Sequence, residues 1–484
     1  MTVIASPRAG AREWLGLAVL ALPTLLLALD ITVLNLAIPH LSTDLRPSGS
    51  ELLWIVDVYG FMIAGFLVTM GTLGDRAGRR RLLLFGAAAF GAASTASAYA
   101  SSPEMLIAGR TVMGVAGATL MPSTLSLISS LFRDARQRGV AFGVWAAMFS
   151  AGIALGPVAG GLLLEHFWWG SVLLLGLPVM LLLLVAGPLL LPEARDPAAG
   201  RIDLPSVALS LAAMLPAVYG IKKLATHGPG LATVAALVVG VAAGLLFVRR
   251  QRRLATPLLD LTLFARPALR GALLVQFVAI GTVAGVYLFI TQYLQVVAGL
   301  SPVRAGLWML PAAAVLVVLS LVAPRLSSRF GAGPVLAAAL AVGAAGYLMV
   351  SLVGVAGEAG LLIAGFVLVY TGTGPAMALT TDLAVGAAPQ ERAGAASALS
   401  ETSSELGGAL GIALLGSLGA AVFRSFDVSG DTLTAAAAAD RLVATDAFTA
   451  GMRVAALASA VLVLVTAVVA RRLRDSSAPA PAGS

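Results

Sequence analysis

Glu401 and Glu405 stand four residues apart in Ser400-Glu401-Thr402-Ser403-Ser404-Glu405-Leu406-Gly407-Gly408, inside an apolar run. On a helix such residues share one face, with side chains about 6 Å apart. Two carboxylates this close in a poorly hydrated setting resist ionising together, so the pair is suited to exchange protons for an organic cation. The alternative is two solvated acids at a cavity mouth. Arg110, in Leu106-Ile107-Ala108-Gly109-Arg110-Thr111, lies roughly 9 Å along its run at 1.5 Å per residue. A buried charge there costs about 3 kcal/mol unless it is paired. Asp30, at comparable depth in the first run, is the natural partner, and Asp57 is the other candidate. The structural alternatives are a static ion pair for Asp30 and an interfacial position for Asp57, beside Trp54 and Tyr59.

Two further patterns are built for motion. Gly71, Asp75, Arg76, Gly78, Arg79 and Arg80 form a tight charged loop between two long apolar runs. The other is Gly152-x-x-x-Gly156-Pro157-x-x-Gly160-Gly161. Its glycines let helices approach backbone to backbone, while Pro157 frees a carbonyl and weakens the helix at one point. Tyr59, Trp145, Phe149, Tyr287 and Tyr370 are candidate pocket walls, because aromatic faces attract organic cations; plain packing is their alternative. There is no cysteine, and so no disulfide or thiolate chemistry. His40, His166 and His227 fall in expected loops without metal-ligand spacing. No hydrolase elbow, phosphate loop or zinc-protease motif is present, which argues against an enzyme.

The elements that must position these residues are membrane helices. Hydrophobic residues make up 59% of the chain and charged residues 11%, against about 25% charged in soluble domains; the mean hydropathy is +0.96. The net charge of +8 recurs between apolar runs instead of gathering on one face, which speaks against nucleic acid. Fourteen runs reach the roughly 20 residues a spanning helix needs. With an even count both termini share a side, and 23 basic residues fall on that side against 7 on the other. This excess marks both termini as cytoplasmic. Lys222 and Lys223, the only lysines, sit where the seventh run ends and are expected to snorkel to the interface. Setting the seventh and eighth runs aside leaves six and six. Pro324-Arg325-Leu326-Ser327-Ser328-Arg329-Phe330-Gly331 then sits at the equivalent loop of the second half, keeping Arg-x-Gly with Ser328 in place of Asp75. The expected organisation is a six-helix bundle over 1–200, two additional helices over 201–255, a second bundle over 256–475 and a disordered tail over 476–484. The scarcity of lysine and the single asparagine, Asn35, match a GC-rich bacterial genome.

The loop Gly71-x-x-x-Asp75-Arg76-x-Gly78-Arg79-Arg80 resembles the signature loop of the major facilitator superfamily. The glycine-proline pattern of the fifth run resembles that superfamily's antiporter motif, which implies export. Leu29-Asp30-Ile31-Thr32-Val33-Leu34-Asn35 and Trp54-Ile55-Val56-Asp57-Val58-Tyr59 resemble the fourteen-helix drug:proton antiporters, closest to the exporters of quaternary ammonium compounds and dyes. The resemblance implies an all-α integral membrane protein of two six-helix bundles plus two central helices, working as a monomer in a bacterial inner membrane. It implies export of lipophilic cations driven by the proton gradient, without cofactor or metal. Asp30, Asp57, Arg110, Glu401 and Glu405 would carry proton and cation coupling. The tenth run lacks the acid that some dye exporters carry there, which weighs against strongly dicationic cargo. An exporter of an endogenous antibiotic-like product and a non-transporting membrane sensor remain as alternatives.

Overall fold

A computed structural model describes residues 9–195, 203–228, 230–254, 257, 261–355, 358–388, 393–426, 428, 430 and 432–473. The tail expected to be disordered lies outside them. Lipid offers the backbone no hydrogen-bond partners, so each apolar run closes its own bonds as a helix. Among the described residues, fourteen helices are long and apolar enough to cross a membrane. The first six are α1 (Ala11–Leu45), α2 (Gly49–Ala77), α3 (Arg79–Ala98), α4 (Pro103–Leu131), α5 (Ala135–His166) and α6 (Ser171–Leu190, interrupted at Leu175). Two more follow, α7 (Leu204–His227) and α8 (Leu231–Gln251). The last six are α9 (Pro267–Gln292), α10 (Pro302–Phe330), α11 (Ala332–Ser351), α12 (Ala359–Gly386), α13 (Ala393–Arg424) and α14 (Arg441–Ala470). A short helix, Leu433–Ala439, lies in the long connection before α14.

Helix starts follow capping chemistry: the side chains of Ser48, Ser102, Asp134, Asp203 and Ser301 each accept a backbone N–H of the first turn. Several helices overrun their apolar cores. Consequently His40 lies within α1, and His166 and His227 end α5 and α7, instead of falling in loops. Gly78 and Gly331 occupy equivalent places in the two halves. Both have positive φ, +111° and +84°, and each donates its N–H back to the preceding helix, to Gly74 and Ser327.

Within the first six helices α1 packs on α5, α2 on α4, and α3 on α4 and α6; within the last six α9 packs on α13, α11 on α12 and α14, and α10 on α12. The two sets meet where α5 crosses α10 and α2 crosses α13. Both crossings lie toward the arginine-poor end. There neither Gly306 nor Gly161 leaves room for a Cβ, which would run into the Pro157 and Pro302 carbonyls. Gln295 Nε2 also donates to Leu36 O at 2.9 Å, from the turn after α9 to α1. Five turns from Gly161 on the same α5 face, about 27 Å toward the arginine-rich end, Gly143 faces open space. The halves therefore close at one end and part at the other. Beside the α2 crossing, α7 packs on both α2 and α13, and α8 packs on α7.

Candidate functional site

Arg110 Nη1 lies 2.6 Å from Asp30 Oδ2, with both side chains buried, and its Nε donates to Ile55 O at 3.4 Å. Its guanidinium sits 4.4 Å from the centre of the Tyr59 ring. One arginine thus ties α1, α2 and α4 together in the first half. Asp57 does not join it. Asp57 Oδ1 is 2.9 Å from Lys222 Nζ of α7, and neither side chain is more than 1% exposed. Lys222 was expected to snorkel to the interface and instead points inward, with its ammonium 4.0 Å from the Trp54 ring centre. Lys223, on the adjacent face, donates to the Tyr219 hydroxyl at 3.1 Å. Neighbouring helical residues diverge by about 100°, which is why one lysine buries while the next does not.

Glu401 and Glu405 share one face of α13 and are half-buried. The rest of that helix fixes where they point. Gly407 packs on the Phe277 carbonyl and Gly411 on the Gly281 carbonyl of α9. Ser400 donates to Gln276 Oε1 at 2.6 Å, and Gln276 Nε2 donates to the Ser404 hydroxyl at 2.5 Å. Ala409 meets Gly60 and Gly416 meets Leu53 on α2. Leu406 and Leu410 pack in the cluster of Phe61 and Val218, beside α7. The glutamates occupy the remaining arc, between the α9 and α2 contacts and opposite α7. Tyr59 lies within electrostatic reach of Glu405 as well as of Asp30 and Arg110. Among the described residues neither glutamate has a basic group within ion-pair distance.

The five aromatic candidates fall into three groups instead of one wall. Tyr59 lies under Arg110; Tyr287 and Tyr370 both pack on Phe366, at ring distances of 6.0 and 4.4 Å. Trp145 and Phe149 stack on α5 at 6.1 Å, and the Trp145 indole donates to Thr124 at 3.3 Å. In the glycine-proline pattern, Gly152, Gly156 and Gly160 seat α5 on α1 against the Leu25 carbonyl, Thr32 and Val33, leaving Pro157 and Gly161 for α10.

At the arginine-rich end Asp75 Oδ1 pairs with Arg79 Nη2 at 2.6 Å. Glu193, which follows α6 and escaped the sequence reading, accepts the Arg80 backbone N–H at 3.1 Å, with the guanidinium groups of Arg80 and Arg81 at 3.8 and 3.7 Å. Arg80 Nη1 also donates to Leu191 O at 3.0 Å. Arg76 is exposed, and Gly71 faces Pro122 of α4. These contacts all lie within the first half of the chain, between residues 71 and 193.

The Major Facilitator Superfamily profile matches residues 20–412. The chain belongs to the major facilitator superfamily. The transporter is 47% identical over 418 residues to the multidrug efflux pump LfrA of Mycolicibacterium smegmatis, covering 86% of this chain and 83% of that one. It is 35% identical over 419 residues to the methyl viologen resistance protein SmvA of Salmonella typhimurium, covering 86% and 84%. Among solved structures, an inward-facing, unoccupied bacterial homologue of the human lysosomal transporter Spinster matches with a TM-score of 0.68 at 17% identity, covering 98% of this chain and all of that one. The transporter is thus a multi-pass membrane protein and not an enzyme, and its relatives are multidrug efflux and resistance proteins.

Proposed function

We propose that this transporter exports lipophilic organic cations, such as quaternary ammonium compounds and cationic dyes, in exchange for protons across a bacterial inner membrane. The observation that carries the reading is the pairing of the acids in the helices. Asp30 and Asp57 each have a basic partner, whereas Glu401 and Glu405 have none among the described residues and sit half-buried on the arc between the two halves. Unpaired carboxylates in a poorly hydrated place recruit either a proton or a cation, and competition for them couples the two flows without ATP. The excess of arginine on the side of the termini supports a cytoplasmic placement of both. The halves then part toward the cytoplasm, where cargo enters and protons leave. Asp30, held by Arg110, is the acid whose pairing changes as access alternates. Asp75 and its arginines, satisfied within one half here, are free to latch the cytoplasmic end when it closes.

Everted membrane vesicles with an imposed proton gradient test this. Adding an ethidium-like monovalent cation is expected to collapse the gradient in wild type. At matched expression Glu401→Gln, Glu405→Gln and Asp30→Asn should each slow the collapse at least tenfold. An unchanged gradient across a panel of cations, with folded protein, would remove the cation assignment and direct the search to endogenous neutral or anionic products.

A further inference from the structure

The Asp57–Lys222 pair lies in a seam that is otherwise apolar. Along it Trp54, Phe61 and Gly65 of α2 meet residues of α7: Gly65 abuts Leu211, Phe61 clusters with Val218, and Trp54 carries the Lys222 ammonium. Burying two charges is costly even when they pair, and an apolar seam would hold α7 at least as well. The pair sits beside the closed end, where α2 touches α13 through Leu53 and Gly416. Because α7 packs on one helix from each half, a tie at this junction acts on the contact between them.

We infer that Lys222 is a gate-positioning residue: its ammonium, brought in by the additional helix α7, holds Asp57 and Trp54 of α2 and clamps the α2–α13 contact at the arginine-poor end. The inference rests on the alternating-access reading above and gives the additional helices a part in it. Among the described residues Asp57 Oδ2 is buried without a hydrogen-bond partner, so a proton can settle there without displacing one. A proton on Asp57 cancels the charge that holds the ammonium. The ammonium cannot stay enclosed without a counter-charge, and the outer part of α7 must shift. Among the described residues the charged groups around Asp57 are few. Lys222 faces it from α7; Glu405 and Glu401 lie about two turns or more farther toward the arginine-rich end on α13. Arg110 with Asp30 and Tyr59 lie on the α4 side of α2, and the described charges of α8, Arg249 and Arg250, are at its opposite end.

The natural absence of cysteine allows spin labels at Thr43→Cys, after α1's apolar core, and Ser425→Cys, after α13, in full-length protein in nanodiscs without substrate. Pulsed dipolar distances report the closed end. In the labelled parent a single short distance is expected at pH 8. Lys222→Met should raise the ratio of long to short distances at least fivefold, and Lys222→Arg should return it to within twofold of the parent. Lowering the pH to 5 should move the parent the same way and leave Asp57→Asn/Lys222→Met unmoved. That double variant holds no buried charge at the seam, so it decides alone if Lys222→Met does not fold. Parent-like distances in Lys222→Met, or the parent's full pH response in the double variant, would overturn the clamp. Because no cargo is used, a failed vesicle experiment removes the cation reading and leaves this result standing, and the converse also holds.

Discussion

At the scale of single residues, Arg110 shows how a buried charge is tolerated: one carboxylate at 2.6 Å, one backbone carbonyl and one aromatic face. Removing one member strands the other. Arg110→Gln is therefore expected to destabilise the protein by about 3–5 kcal/mol, read as a lowered midpoint of thermal unfolding in detergent. Asp30→Asn/Arg110→Gln should recover most of that loss. Recovery of stability without recovery of transport would separate the pair's structural share from its functional one. A double variant as unstable as the single would show that Arg110 acts through contacts other than Asp30. This pair was legible from sequence, since a lone arginine in an apolar run requires an acid at similar depth and only two were available. The Lys222 partnership was not, because two lysines near a helix end suit the interface equally well. Only the matched spacing of Trp54, Asp57, Phe61 and Gly65 with Leu211, Val218 and Lys222 marks the seam, and it is visible only once α2 and α7 are known to touch. Glu193 was missed for a similar reason: one acid after a run has no signature until the chain brings it beside Arg80 and Arg81.

At the scale of elements, α13 divides its circumference among neighbours: serines and glycines to α9, alanine and glycine to α2, leucines to α7, and two glutamates to the space left over. Fourteen spans and their order could be read from apolar length alone. Which face of each helix is turned inward could not, because nearly all faces are apolar in lipid, and the five aromatic candidates accordingly divided into separate clusters. The α7–α8 hairpin carries a second tie at the arginine-rich end. Arg250 Nη2 donates to Asp203 Oδ1 at 2.7 Å, and Ser206 joins them. The guanidinium hydrogen bonds hold the Asp203 carboxyl below its usual range. A depressed carboxyl contributes stability that is present above its unfolded value near 3.9 and is lost as the pH falls through the folded value. Asp203→Asn is thus expected to cost about 0.5–1 kcal/mol at pH 7, as for a partly exposed pair, and less near pH 2. Thermal unfolding of variant and parent at both pH values checks this, and an equal gap at both would assign the loss to the helix cap instead of the ion pair.

At the scale of the whole molecule, the glycine face of α5 records the state of the transporter. Gly161 is pressed on α10 while Gly143, on the same face, meets nothing within 4 Å. Helices that touch at one end and part at the other can rock about the touching end, and small residues at the crossing keep the pivot close without long side chains to shear. Placing the arginine-rich end in the cytoplasm makes this an inward-open arrangement. In the cysteine-free background, a membrane-impermeant maleimide supplied to the cytoplasmic face should then label Gly143→Cys at least tenfold faster than Ala305→Cys, whose native side chain is fully buried beside the crossing. The same reagent on the opposite face should label neither quickly until the transporter turns over. Faster labelling of Gly143→Cys from the opposite face would invert the membrane orientation, and with it the direction of transport. Equal rates at the two positions from the cytoplasmic face would mean that the protein in the membrane does not rest in the inward-open state. In that case the unpaired glutamates would face the cytoplasm only transiently, and protons, not cargo, would reach them first.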